Sequence, residues 1–361
     1  MCHCPTEAVT LFFRNFVDMS TESENKRFGA GTSRKQVVLV VALVLLAWGA
    51  WYVSGLFTGY DGSAATWVHI PRKASQQEAT DSIVSALGEK FGGKVAALWS
   101  GNVDASKGAY LIEPGEEAWA VAKKIGRGQQ TPIRITFNNL RLFEQLEDKL
   151  AGCLDFTKEE FEDAVTKTIT EESISREKFE AQFLPDTYEV YWTATPNDII
   201  KKIRRYYAKF WDEERSAKAK ALGLSELQVS VLASIVEEES NRRDEHKKIA
   251  RLYLNRLHRG MLLQADPTVK FATGDFAARR ITRDMLNVES AYNTYKVARL
   301  PPGIIRLPAA TTLDAVLNAP KHNYIYMCAR PDGSGYHDFT ADYNEHLRNA
   351  NAYRKATYSK K

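Results

Sequence analysis

The chain is poor in the features that mark several common protein classes. Four cysteines in 361 residues exclude a small fold stapled by disulfides. Lys+Arg 49 against Asp+Glu 45 leaves +4, too little over this length to hold nucleic acid through bulk charge. Twelve prolines and 21 glycines exclude a collagen-like or linker-dominated chain. No repeat at solenoid spacing occurs. The seven histidines contain no His-x-x-x-His pair, and there is no Gly-rich phosphate loop, G-x-S-x-G or nucleophilic-cysteine motif. No metal, cofactor, nucleotide or acyl-enzyme is therefore expected. What the chain does have is 44% apolar and 26% charged residues, enough for one large domain or two ordinary ones plus tails.

The strongest local signal is the uncharged run Val37 to Phe57, 21 residues interrupted only by Gly49, Ser54 and Gly55. As a helix it rises about 31 Å, one hydrocarbon thickness. Arg34 and Lys35 precede it, and Trp48, Trp51, Tyr52 and Phe57 crowd its far end. Basic flanks stay in the cytoplasm and aromatics gather at the interface. The run therefore predicts a transmembrane helix over 36–58, a cytoplasmic tail over 1–35, and the rest of the chain outside the cytoplasm, in a single-pass arrangement at the cell inner membrane. A cleaved signal peptide fits less well, because Val53-Ser54-Gly55 is a poor cleavage site. In the tail, Cys2-His3-Cys4 lacks a second ligand pair, and Met19 is an alternative start. Cys153 and Cys328 are candidates for a disulfide, although two cysteines set no pattern.

Beyond the anchor, Trp67–Ile70, Gly108–Ile112 and Thr131–Phe137 read as strands, and Ala79–Phe91 and Glu116–Ile125 as amphipathic helices. Together they predict a small α/β module over 66–137, followed by a larger mixed α+β domain over 138–361. Asn139–Ala151 and Lys158–Thr168 read as helices, Pro196–Leu222 as one long helix with a basic face, and 324–339 as a hairpin. The fold class expected is α+β.

One helix carries a candidate acid. Ser225-Glu226-Leu227-Gln228 fits a capping box, with Ser225 at the N-cap. On a wheel with Leu227 at the origin, the apolar positions through Val236 cover about 0° to 240°. Glu237 falls at about 280°, Glu238 at about 20° and Glu239 at about 120°, inside the apolar sector. A carboxyl aimed inward is desolvated and lies near two others, and both effects favour its protonated form. A glutamic acid that stays protonated is what general-acid cleavage of a glycosidic bond requires.

Several separated motifs then share one order. They are Phe183–Tyr188, Leu232–Ser240, Ala250–Leu257, Gly260–Thr268, Ala291–Tyr295 and Leu300–Ile305, with a Gly-x-His-x-Phe pattern at Gly335, His337 and Phe339. The chain, over roughly 60 to 350, resembles the endolytic murein transglycosylases, the MltG (YceG-like) family. The unit at 66–137 resembles that family's LysM-like module. The resemblance implies a lyase that cuts peptidoglycan glycan strands internally between N-acetylmuramic acid and N-acetylglucosamine, leaving 1,6-anhydro ends. It aligns Glu239 with the family's catalytic glutamate, the last acid of a Glu-x-Glu motif. Glycan strands are the implied partner, and peptidoglycan synthases are candidate partners.

Asn255, Gln264, Asp266, Tyr292, Asn293, Thr294, Tyr295 and His337 are the polar or aromatic residues of these motifs expected to position the sugar. Each has a structural alternative: Asn255 could bridge helices, and Asp266-Pro267-Thr268 could simply open one. The competing function is a non-catalytic, membrane-anchored peptidoglycan-binding or scaffolding protein.

Overall fold

The computed structural model describes residues 34–99, 101–278 and 280–358. The chain divides into two units, one up to Gly59 and one from Tyr60 onward. The first holds helix α1 (Arg34–Leu56). Its stretch Val37–Leu56 has a mean hydropathy of 2.3, and no other single helix among the described residues is long and apolar enough to cross a membrane. The expected tail, with Cys2, His3, Cys4 and Met19, lies outside the described residues as far as residue 33.

The second unit begins with β1 (Thr66–Ile70), α2 (Gln76–Leu87), α3 (Glu89–Leu98), α4 (Val103–Ser106), β2 (Gly108–Ile112) and α5 (Ala118–Gly126). β1 and β2 pair antiparallel with Val68 opposite Tyr110. The single helix expected over Ala79–Phe91 is two. A Ser75–Glu78 capping box starts the first one early, and Gly88, at φ +79°, breaks the chain before the second. Val68, Ile83, Tyr110, Val121 and Ile125 form a small core of their own.

Next come β3 (Ile133–Phe137), α6 (Phe143–Cys153), α7 (Lys158–Glu172), α8 (Arg176–Glu180) and β4 (Asp186–Val190). β3, which the sequence pattern puts at the end of the small module, pairs with β4, Ile135 opposite Tyr188. Its buried side chains Ile135 and Phe137 belong to the larger core. The long helix expected over Pro196–Leu222 is also two, α9 (Pro196–Phe210) and α10 (Glu213–Ala221). Asp212 is the reason: its carboxylate accepts from the Arg215 N–H at 2.8 Å and caps a new helix where the first stops.

The remaining elements are α11 (Glu226–Glu239), a 3₁₀ turn at Arg243–Glu245, α12 (His246–His258), α13 (Asp266–Thr273), α14 (Arg283–Leu286), α15 (Ala310–Leu317), the antiparallel strands β5 (Tyr326–Ala329) and β6 (His337–Thr340), and α16 (Tyr343–Tyr358). The expected capping box forms, with Gln228 N–H on Ser225 Oγ at 3.2 Å and Ser225 N–H on Gln228 Oε1 at 2.9 Å. α11 packs against α12, α13 and α15. It is buried all round from Val229 to Val236, so its wheel has no wet side there. Ser230 and Ser234 are fully buried; Ser234 Oγ accepts from the Ile305 N–H at 3.1 Å and pins the Leu300–Ile305 loop to the helix. The architecture is mixed α+β. Cys153 and Cys328 are free thiols.

Candidate active site

α11 ends in three consecutive glutamates with no basic residue in its last turn. Unpaired carbonyls make this end of a helix partly negative, so it is a poor place for anions unless something compensates. The three carboxylates are compensated unequally. Glu237 Oε2 accepts from the Ala309 N–H at 2.9 Å and from Thr312 Oγ1 at 2.7 Å, with Arg306 at 3.4 Å. Glu238 is gripped by Arg141 at 3.0 Å and Arg306 at 2.9 Å. Glu239 has no ion pair among the described residues; its partner is the Tyr253 hydroxyl, which donates to Oε1 at 2.6 Å.

The wheel aims Glu239 alone inward; what separates the three acids here is their partners. All three acids are partly buried, and Glu239 is the one with no guanidinium in ion-pairing distance among the described residues. Burial pushes its carboxyl up to about 7. The Tyr253 hydrogen bond works against this, the Asp266 and Glu238 charges work with it, and Arg256 opposes.

Glu239 lines an open cleft of about 460 Å³. Gln264, Asp266, Tyr295 and His337 line it too, so the structure gathers five of the sequence-derived residues around one hollow. Gln264 holds φ +53°, a left-handed conformation costly for a residue with a Cβ. It is kept there by its N–H on the Thr294 carbonyl at 3.1 Å and by Arg256 on its side-chain oxygen at 3.2 Å. Tyr295 donates to Asp266 Oδ1 at 2.5 Å. His337 Nδ1 lies 3.0 Å from Glu245 Oε2, and its backbone N–H meets Glu245 Oε1 at the same distance.

Asn255, Tyr292, Asn293 and Thr294 do not line the cleft. Asn255 donates to the carbonyls of His322 and Tyr324, at 2.8 and 3.0 Å. Tyr292 packs on Phe271 with ring centroids 4.8 Å apart. Asn293 and Thr294 are almost wholly buried. Asn293 donates to the Leu286 and Val288 carbonyls and accepts the Tyr295 N–H, while Thr294 Oγ1 accepts the Ala265 N–H and bonds Thr268. These two clasp the loops that carry Gln264, Asp266 and Tyr295.

Tyr253, Arg256, Tyr326 and His346 line the cleft without having been singled out. Tyr253 and Arg256 stand three apart on α12, hence on one helix face, with Asn255 off it; that spacing was readable. Tyr326 and His346 arrive from the hairpin and α16 with no comparable signal.

The β5–β6 hairpin is fastened to the turn that follows Glu239. Arg242 bonds the Ser334 carbonyl and lies 4.7 Å over the Tyr336 ring, and Tyr336 bonds Asp244 at 3.0 Å. His246 Nε2 on the Ser240 carbonyl at 2.8 Å fixes the start of that turn. A second hollow, of about 490 Å³ beside Pro132, includes Glu189 and Asp198, but both are exposed and Asp198 caps α9.

The profile of the YceG-like family matches residues 68–352. A Bacillus subtilis protein named endolytic murein transglycosylase is 33% identical over 190 residues, 52% of this chain and 51% of its own length. A Streptococcus pneumoniae protein of the same name is 28% identical over 170 residues, 44% of this chain and 29% of its own length. The chain thus spans about half, or less, of the length of these curated relatives. A solved YceG-like protein of Listeria monocytogenes superposes with a TM-score of 0.54 at 22% identity, over 80% of this chain and 99% of its own, and so shares the fold.

Proposed function

The chain belongs to the YceG-like family, and we propose that it is a membrane-anchored lytic transglycosylase that cuts peptidoglycan strands internally, between N-acetylmuramic acid and N-acetylglucosamine. The relatives' printed names supply the substrate class. The observation that carries the chemistry is Glu239: a carboxyl on a cleft wall, raised to about 7, with a tyrosine as partner in place of a cation.

Such a carboxyl is still substantially protonated near neutrality. Protonated, it gives its proton to the bridging oxygen as the bond from that oxygen to the muramic C1 breaks, the electron pair leaving with the oxygen. The muramic 6-hydroxyl then attacks C1, and its proton passes to the Glu239 carboxylate. Acid and base are one residue and the ring closes to the 1,6-anhydro sugar, so no water enters. Enzymes that hydrolyse the bond instead use two carboxylates. Asp266 is the nearest second acid in the cleft, and its Oδ1 is occupied by Tyr295. In this reading α1 crosses the membrane with the tail inside, and the small β1–β2 unit serves as the LysM-like glycan-holding module.

Digesting purified peptidoglycan with the detergent-solubilised full chain in heavy-oxygen water tests this. The expected products are unlabelled anhydro ends, and Glu239→Gln should lower the rate by at least about 10²–10⁴-fold. Label in the new ends would make the protein a hydrolase. Absence of cleavage by wild type, with glycan still bound, would make it a wall-binding protein.

A further inference from the structure

General-acid catalysis uses one oxygen of a carboxyl, and an unrestrained carboxyl can put its proton on either. In Glu239 the two oxygens are unlike. Oε1 receives the Tyr253 hydroxyl at 2.6 Å, and Oε2 makes no hydrogen bond among the described residues. Tyr253 is 1% exposed, on a helix packed directly against α11, so its ring has nowhere to turn. Resting on the lyase reading above, we propose that Tyr253 is a positioning residue that occupies Oε1, confines the transferable proton to Oε2, and holds that oxygen toward the substrate.

The argument is one of counting donors. A phenol has one hydrogen. A proton placed on Oε1 would have to point at the phenol oxygen, and the phenol hydrogen would then need another acceptor. Tyr253 has none among the described residues, and an orphaned buried donor is costly. With the proton on Oε2, every group is satisfied. After proton transfer the same hydrogen bond is charge-assisted and strengthens, so it also steadies the carboxylate that serves as base. The other charged or titratable groups around this carboxyl are Arg256, Asp266, Tyr295, Tyr326, Cys328, His337 and His346, which line the same cleft, and Glu238 beside it; among the described residues none of them is hydrogen-bonded to it.

The test is the pH dependence of kcat/KM of the full chain in detergent, on glycan strands of defined length. Wild type should lose activity above about 7, where Glu239 deprotonates. Tyr253→Phe removes a donor that favours the carboxylate. Its alkaline limb should move up by about one pH unit, while kcat falls roughly tenfold and KM holds. Asp266→Asn removes a charge that favours the acid and should move the limb the other way. A Tyr253→Phe limb that coincides with wild type would reduce Tyr253 to packing and overturn the proposal. If that variant fails to fold, 3-fluorotyrosine at position 253 keeps the shape with a stronger donor, and the limb should then move toward acid; an unmoved limb again overturns it. Full activity in Glu239→Gln would sink the acid assignment itself, a different result from an unmoved Tyr253→Phe limb.

Discussion

Glu239→Gln should stabilise the protein at alkaline pH while destroying its activity. In the folded chain the carboxyl titrates at about 7, against 4.5 for the ordinary group. A carboxyl whose folded value is raised favours the folded state fully below 4.5. That advantage is then lost as pH rises toward 7, because the unfolded chain ionises freely and the folded one must ionise a buried group. Integrating the two titrations from pH 5 to pH 8 gives a loss of about 2–3 kcal/mol from this one group. Glutamine keeps the shape and the Tyr253 acceptor but does not titrate, so the variant escapes the loss. The assay is urea unfolding of wild type and Glu239→Gln in one detergent at pH 5 and pH 8. All other titrations cancel in the difference of differences, which should read about 2–3 kcal/mol in favour of the variant at pH 8. A difference that does not change between the two pH values would refute the buried-acid argument, whatever the variant does to activity.

Other outcomes follow from single contacts. Ser225→Ala removes the N-cap of α11 and should cost about 1 kcal/mol in the same unfolding assay, with the pH profile of activity unmoved. Glu238→Ala strips the 2.9 Å partner from Arg306, a guanidinium only 9% exposed whose Nε has no hydrogen-bond partner among the described residues; a loss of about 2–3 kcal/mol is expected, less than for a fully orphaned charge because Glu237 and Asn139 remain. Arg242→Ala releases the hairpin tip from the turn after Glu239 and should raise KM several-fold, with the alkaline limb of kcat/KM in place, as steady-state kinetics on glycan strands would record.

What could be read from the sequence was local. The apolar run of α1, the Ser225 capping box and the hairpin strands are written in consecutive residues, and each stands where its pattern places it. The errors share a cause as well. Gly88 and Asp212 each break what the hydrophobic period reads as one helix, because a left-handed glycine and a capping carboxylate outweigh a continuing period. β3 was grouped with the module it follows in sequence, but a strand belongs with its partner, and that partner begins 49 residues after β3 ends, at Asp186 following Phe137. Asn293 and Thr294 sit in a motif near the cleft and are spent inward, since a tight loop must satisfy its own amides before it can offer side chains to a ligand.

The three glutamates show where local reading stops. A helix that ends in Glu-Glu-Glu without a base breaks the usual charge preference of helix termini, and such conflicts concentrate where function overrides stability. That much is visible in the sequence. Which acid is left without an ion pair depends on Arg141 and Arg306, which lie 97 and 68 residues from Glu238 and have no pattern linking them to it. Concentrated on Glu237 and Glu238, they leave the third without an ion pair among the described residues, in a cleft, against a phenol. The arginines thus pair with two of the three carboxylates at the helix end, and the same network that steadies the terminus leaves Glu239 apart, on the cleft wall beside Tyr253.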